Sequence, residues 1–179
     1  VEPQDIQQVV EGAYREVFRE MMGMELKLPL PRMTYRHAMG TYGSDKPDTR
    51  FGLPIADVGE TVRGCGFAVF EGALEKGRGV YALRVPGAAE KLSRRDMDGL
   101  SEFVKTYHVK GLAWAALQPE GALRSSFAKA MAGDSMERLL ARLEAVPGDA
   151  VFLIADEKYT ALTAMGQLRL RLGARLELI

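Results

Sequence analysis

The segment TYGSDKPDTR, residues 41–50, sets Ser44, Asp45, Lys46, Asp48 and Arg50 around Pro47, with Gly43 ahead of them. A hydroxyl, two carboxylates, an ammonium and a guanidinium this close together can grip a polar partner that carries both signs of charge. The same residues can also satisfy one another, because Asp45, Asp48 and Arg50 are spaced to pair locally while Pro47 fixes a turn. Both readings stand at this level. Such a loop is too polar for a core, yet apolar segments flank it on both sides.

A second cluster is basic. Lys91, Arg94, Arg95, Lys105 and Lys110 gather around a helix that begins at Ser93, in a spacing that suits a nucleic-acid backbone. Glu90, Asp96, Asp98 and Glu102 interleave with them, which is the pattern of a solvated helix face. The remaining reactive types are sparse. His37, His108 and Cys65 are far apart and lack the spacing of metal ligands. Cys65 has Arg63 nearby but no base, so a buried thiol is expected in place of a nucleophile. The glycine-rich pieces RGCGFAVFEG and EKGRGV lack the Lys-Ser/Thr ending of a phosphate-binding loop and read as turns. Trp114 and Tyr81 fall in apolar runs and are expected in the core.

Composition narrows the class. With 179 residues, 47% hydrophobic and 27% charged, the chain has the makeup of a globular domain that buries roughly 70% of its extended-chain surface. One cysteine permits no internal disulfide and suits a reducing, cytoplasmic setting. No apolar run is long enough to span a membrane, and VEPQDIQ is not a leader peptide, so no membrane association is expected. Twenty-four basic residues balance twenty-four acidic ones. A free-standing nucleic-acid binder ordinarily carries a basic excess, so any such contact here uses a small patch or belongs to something larger.

The elements that must position these residues follow from periodicity. Ile6, Val9, Val10, Ala13, Tyr14, Val17, Phe18 and Met21 recur at helical spacing and predict a helix over 3–22, ended by Gly23. Pro29 and Pro31 force an extended connection. Thr34 is a candidate N-cap for a short helix, YRHAMGTY, that runs into the polar loop. Past the loop, GCGFAVF (64–70), GVYALRV (79–85), GLAWAAL (111–117) and DAVFLIA (149–155) read as four strands. A capping box, SRRD, opens the Ser93 helix, whose buried face is Met97, Leu100, Phe103, Val104 and Tyr107. A short helix near 127–131 and a longer one from Ser135 to Val146 precede the last strand, and a final helix covers about 160–172. The expected fold is α+β: a mainly antiparallel four-stranded sheet covered on one face by two helices, with further helices on either side.

PRMTYRHAMGTYGSDKPDTRFGL resembles the segment after motif 2 of bacterial-type aspartyl-tRNA synthetases, where a YGSDKPD string leads out of the catalytic domain. FAVFEGA, GRGVYALRVPG, FVKTYHVKGLAW and GDAVFLIAD resemble the GAD domain, the insertion that family shares with an amidotransferase subunit. ALTAMGQLRLRLG resembles the helix that returns toward motif 3. The resemblance implies residues 1–58 as a catalytic-domain segment, 59–158 as the GAD insertion and 159–179 as the returning helix. It implies a parent enzyme, homodimeric, that uses ATP and Mg to join aspartate to tRNA. Motifs 1, 2 and 3 lie outside this sequence, so the chain by itself is expected to be an inactive, non-catalytic module, structural or tRNA-proximal, without a cofactor of its own.

The resemblance further places Ser44, Asp45, Lys46, Asp48 and Arg50 near the active site, and offers Lys91, Arg94, Arg95 and Lys105 to tRNA. The apolar first and last helices accord with a segment of a larger protein. The alternative is a stand-alone α+β module that docks tRNA or an enzyme subunit in trans. An autonomous small enzyme is the third reading, and no polar constellation in the sequence supplies its catalytic groups.

Overall fold

Three of the apolar runs extend side by side in the computed structural model, which describes residues 1–178. In chain order the elements begin with α1 (Pro3–Met22), α2 (Tyr35–Tyr42), β1 (Ile55–Asp57), α3 (Ala68–Glu75), β2 (Gly79–Val85) and α4 (Arg94–Lys105). They continue with β3 (Ala113–Leu117), β4 (Leu123–Ser125), a 3-10 turn at Ala128–Ala130, α5 (Ser135–Arg142), β5 (Ala150–Asp156) and α6 (Lys158–Arg175). The chain divides into two units, Val1–Thr34 and Tyr35–Ile179.

In the second unit the strands lie in the order β1-β2-β5-β3-β4, every neighbouring pair antiparallel. β2 and β5 pair along their full length, from Gly79 opposite Asp156 to Val85 opposite Ala150. Because side chains alternate across a strand, this register sends two sets of residues to opposite faces. Tyr81, Leu83, Val85, Phe152 and Ile154 join Met97, Leu100 and Val104 of α4 and Leu162, Met165, Leu168 and Leu172 of α6 in one core. Val80, Ala82, Ala115, Val151 and Leu153 meet Phe70 of α3, Phe127, and Leu139 of α5 in the other.

The α+β class and the antiparallel sheet agree with the sequence reading; three details differ. The sheet has five strands, since β1 and β4 are three-residue edge strands too short to show a period. Residues 64–70 do not form a strand. Gly64 and Gly66 take positive φ (73° and 79°), which breaks an extended backbone, and Phe67 then starts α3, which buries Phe70 and Ala73 one turn apart and exposes Val69. The two long helices expected on one face lie on opposite faces, α4 with α6 and α5 with α3.

α4 begins as its sequence requires. Ser93 Oγ accepts from the Asp96 backbone N–H (3.2 Å), and the Ser93 N–H donates to Asp96 Oδ2 (2.9 Å). The final helix is longer than its apolar stripe, starting at Lys158 directly after β5.

In the first unit, α1 is opened by a capping box between Glu2 and Asp5 and closed by Gly23. Glu11 Oε1 accepts from the backbone N–H of Leu30 (3.2 Å) and from Arg32 (3.1 Å), tying the proline-containing segment to the helix. α1 buries none of its residues: Ile6, Val9, Tyr14, Val17 and Met21 are all exposed.

Candidate functional site

The polar loop is seated by α2 before it and α6 beneath it. The α2 helix ends at Tyr42, and the Gly43 N–H donates to the Met39 carbonyl (3.0 Å) as the chain turns at φ 69°. At that turn two backbones touch. A Cβ on Gly43 would overlap the Leu162 carbonyl and stand 2.7 Å from Gly166 Cα, and a Cβ on Gly166 would stand 2.6 Å from the Gly43 oxygen. Only glycine at both positions permits this approach. Two turns further along α6, Gly173 leaves room for the Phe51 ring, which would lie 2.8 Å from an added Cβ.

Between those two glycines α6 carries Arg169, whose side chain is buried with 1% of the residue exposed. Its Nη2 donates to the carbonyl oxygens of Asp48 (2.8 Å), Phe51 (2.8 Å) and Gly52 (2.7 Å). Its Nε donates to those of Gly52 (3.1 Å) and Leu53 (3.0 Å). The guanidinium also lies over the rings of Phe51 (4.0 Å to the centroid) and Tyr42 (4.9 Å). Burial pulls the Arg169 pKa below the ordinary guanidinium value, opposed by the nearby Tyr42 and Asp48. An arginine remains charged through such a shift, so four carbonyls of one loop converge on a permanent cation. Leu53 sits there at φ 64°, a conformation unfavourable for leucine that persists because its surroundings over-determine it.

Above this base the loop splits its charges. Arg50 Nη2 and Nε reach Asp48 Oδ2 at 2.7 and 3.2 Å, and the Arg50 backbone N–H donates to Asp48 Oδ1 at 3.0 Å. The side-chain and backbone hydrogen bonds from Arg50, helped by the charges of Arg50 and Arg169 and opposed by partial burial, lower the Asp48 pKa from 3.8 to about 2. The same pairing raises Arg50 above the ordinary guanidinium value. Ser44 Oγ accepts from the Lys46 N–H (3.1 Å) and shapes the tip. Asp45 and Lys46 are exposed there, and among the described residues neither side chain has a hydrogen bond or ion pair. Of the five loop residues marked from sequence, Asp48 and Arg50 satisfy each other, Ser44 holds the turn, and Asp45 and Lys46 are presented outward.

The basic cluster is arranged differently. Lys91, Arg94 and Arg95 are exposed and without ion pairs among the described residues, whereas Lys105 is held by Glu102 (2.6 Å) and Asp96 by Arg175 (2.6 Å). Arg94 borders a shallow concavity of about 380 Å³ with Asp98, Trp114 and Arg124. Trp114 is half-buried against the α4–α6 core, and Tyr81 lies within it. Cys65 is buried, which raises its thiol pKa, an effect reinforced by Glu71. His37 is exposed beside Tyr42, and His108 follows α4 at φ 67°.

Sequence reasoning missed Arg169, because one arginine on an amphipathic helix reads as solvated. The available signal was its frame: Gly166 and Gly173 lie three residues before and four after it, and glycine inside a helix marks a close approach. Among the described residues the loop has no nucleophile hydrogen-bonded to a base; what it presents is charge.

The family described as GAD domain matches residues 70–165, from within α3 to within α6. The chain is 50% identical over 178 residues to the aspartate–tRNA(Asp/Asn) ligase of Moorella thermoacetica, covering 99% of this chain and 29% of that relative. It is 45% identical over 176 residues to the ligase of the same description from Bacillus cytotoxicus, covering 98% of this chain and 30% of the relative. The aspartate–tRNA ligase of Bacillus licheniformis is 46% identical over 176 residues, with 98% and 30% covered. The chain therefore spans about 30% of the length of these curated relatives. The polar loop and Arg169 fall outside 70–165 but within the span shared with the ligases.

Proposed function

The chain belongs to the GAD domain family, and from that premise we propose that it is the part of an aspartate–tRNA ligase in which a GAD module interrupts the catalytic domain. What carries the reading is continuity: 50% identity extends over 99% of the chain, through α2, the polar loop and α6 as well as the matched module. Residues 1–58 and 159–179 are then catalytic-domain segments on either side of the insertion at 59–158. The parent protein joins aspartate to tRNA at the expense of ATP, acts as a homodimer and resides in the cytoplasm, where this module is structural or tRNA-proximal. Among the described residues no helix is long and apolar enough to cross a membrane.

The polar loop does not fit Mg²⁺. Asp48 is taken up by Arg50, Asp45 is a lone exposed carboxylate, and no three His, Cys, Asp or Glu side chains cluster among the described residues. Among the described residues Lys91, Arg94 and Arg95 are exposed and without ion pairs, which suits contact with an RNA backbone, while Lys105 is partly neutralised by Glu102.

The test replaces the matching span of the Moorella thermoacetica ligase with this chain. The chimera is expected to charge tRNA with aspartate. The isolated chain, given aspartate, ATP and Mg²⁺, is expected to show no aspartate-dependent ATP–pyrophosphate exchange. Exchange by the isolated chain, or a folded chimera that does not charge, would overturn the reading.

A further inference from the structure

We propose that Arg169 is a positioning residue whose task is to hold the 43–53 loop in one preformed shape, so that Asp45 and Lys46 are offered as a fixed pair of opposite charges to the part of the ligase polypeptide outside this span. The inference rests on the reading of this chain as part of an aspartate–tRNA ligase.

The observations leading to it are local. A surface loop ordinarily holds itself with turn hydrogen bonds and leaves its carbonyls to water. This one directs the carbonyls of Asp48, Phe51, Gly52 and Leu53 inward at a single buried guanidinium. The seam beneath is closed by glycine on both sides, at Gly43 and Gly166. Leu53 is kept at positive φ. Asp48 and Arg50 cancel each other at the base, which leaves the tip as the outward-facing charge.

A loop that only needed to connect α2 to β1 would not require this degree of restraint. Restraint of this kind removes the ordering cost that a flexible tip would incur on meeting a charged partner. The partner must carry both signs of charge, an acid for Lys46 and a base for Asp45. It must also lie beyond these residues, because no described residue meets either side chain. The relatives extend well past the span this chain covers, so a polypeptide to supply those charges is at hand. The anchor lies on α6, which packs on the GAD sheet through Leu162, Met165 and Leu168, so the loop's shape is set from the module's own core.

Two measurements separate this inference from the functional reading it uses. In the isolated chain, amide hydrogen exchange compares wild type with Arg169→Lys and Arg169→Gln. The expected result is a loss of protection of at least tenfold in residues 43–54 that exceeds any loss in β2 and β5. Arg171→Lys, which alters the neighbouring α6 arginine stacked on Phe103, is the control and should leave the loop protected. Unchanged loop protection in Arg169→Lys and Arg169→Gln would overturn the positioning role whatever the parent enzyme is.

In the chimeric ligase, Arg169→Lys and the exposed double variant Asp45→Asn/Lys46→Gln should each lower kcat/KM for charging by tenfold or more. Their combination should be little worse than either alone, since both remove the same contact. Full additivity, or a loop-tip variant with wild-type charging, would overturn the inference even if Arg169→Lys is impaired. The loop-tip variant alters only exposed side chains, so this arm holds even where an Arg169 variant folds poorly. A wild-type chimera that does not charge would sink the proposed function, and the reaction half of the inference with it.

Discussion

The polar loop and the α4 face both carry charges of both signs in sequence, and the molecule uses them in opposite ways. Around α4, Arg94 and Arg95 stand in water while Lys105–Glu102 and Asp96–Arg175 are surface pairs. Such pairs are worth well under about 1 kcal/mol each, and the helix would keep its shape without them because Met97, Leu100 and Val104 bury its other face. In the loop the decisive charge is one the loop does not contain. Arg169 arrives from α6, more than a hundred residues later, and orders four backbone carbonyls. A cluster of charged side chains becomes an organised surface when a buried counter-charge fixes the backbone that carries it; without one it is a solvated face.

The largest break in this contrast should come from Arg169→Ala. It strips buried carbonyls of their donor and empties a packed site, and should destabilise the second unit by about 3–5 kcal/mol. Neutralising Lys91, Arg94 and Arg95 together should leave stability within about 0.5 kcal/mol. Urea denaturation of both variants checks the pair, and equal losses would erase the distinction between the regions.

Next in size is the seam itself. Gly43→Ala combines a positive φ with a collision against the α6 backbone, and should cost about 2–4 kcal/mol. Gly99→Ala on α4, where an added Cβ meets nothing within 4 Å, should be neutral or slightly stabilising by the same assay.

A smaller effect concerns pH. The folded pKa of Asp48 lies below its ordinary value, so its pairing contributes fully above pH 3.8 and is lost as the pH falls through about 2. The Arg50 amide resonance should accordingly titrate with a midpoint near 2. A midpoint at the ordinary aspartate value would mean that Arg50 does not hold the carboxylate in the folded protein.

The smallest effect belongs to RNA. If Lys91, Arg94 and Arg95 meet phosphate, neutralising all three should flatten the salt dependence of tRNA binding by about 2–3 in log–log slope. An unchanged slope would leave that face merely solvated. Fluorescence anisotropy across a salt series reads this directly.

Much of this was legible in the residues. Repeats of Ile6, Val9, Val10 and Tyr14, and the Ser93–Asp96 box, determine their helices because the information lies within a few residues of itself. GVYALRV is β2 as read, since β-branched and aromatic residues bounded by glycine and proline have few alternatives. Local pattern failed where it was too short to carry a period. GCGFAVF is apolar throughout, and in seven residues a strand and a turn entering a helix look alike. IAD and LRS become strands only because β2 and β3 offer them an edge.

The sequence by itself determined the helices other than α3, which strands form the centre of the sheet, that the loop is polar and stiff, and, through resemblance, the family. The tertiary structure alone decided which face each helix covers, that Gly43 and Gly166 meet, and that Arg169 is the loop's missing counterpart. The reason is physical. Propensity and periodicity act over one or two turns, whereas a buried charge is tolerated only where distant backbone converges on it. That convergence exists only once the sheet has brought α2 and α6 together.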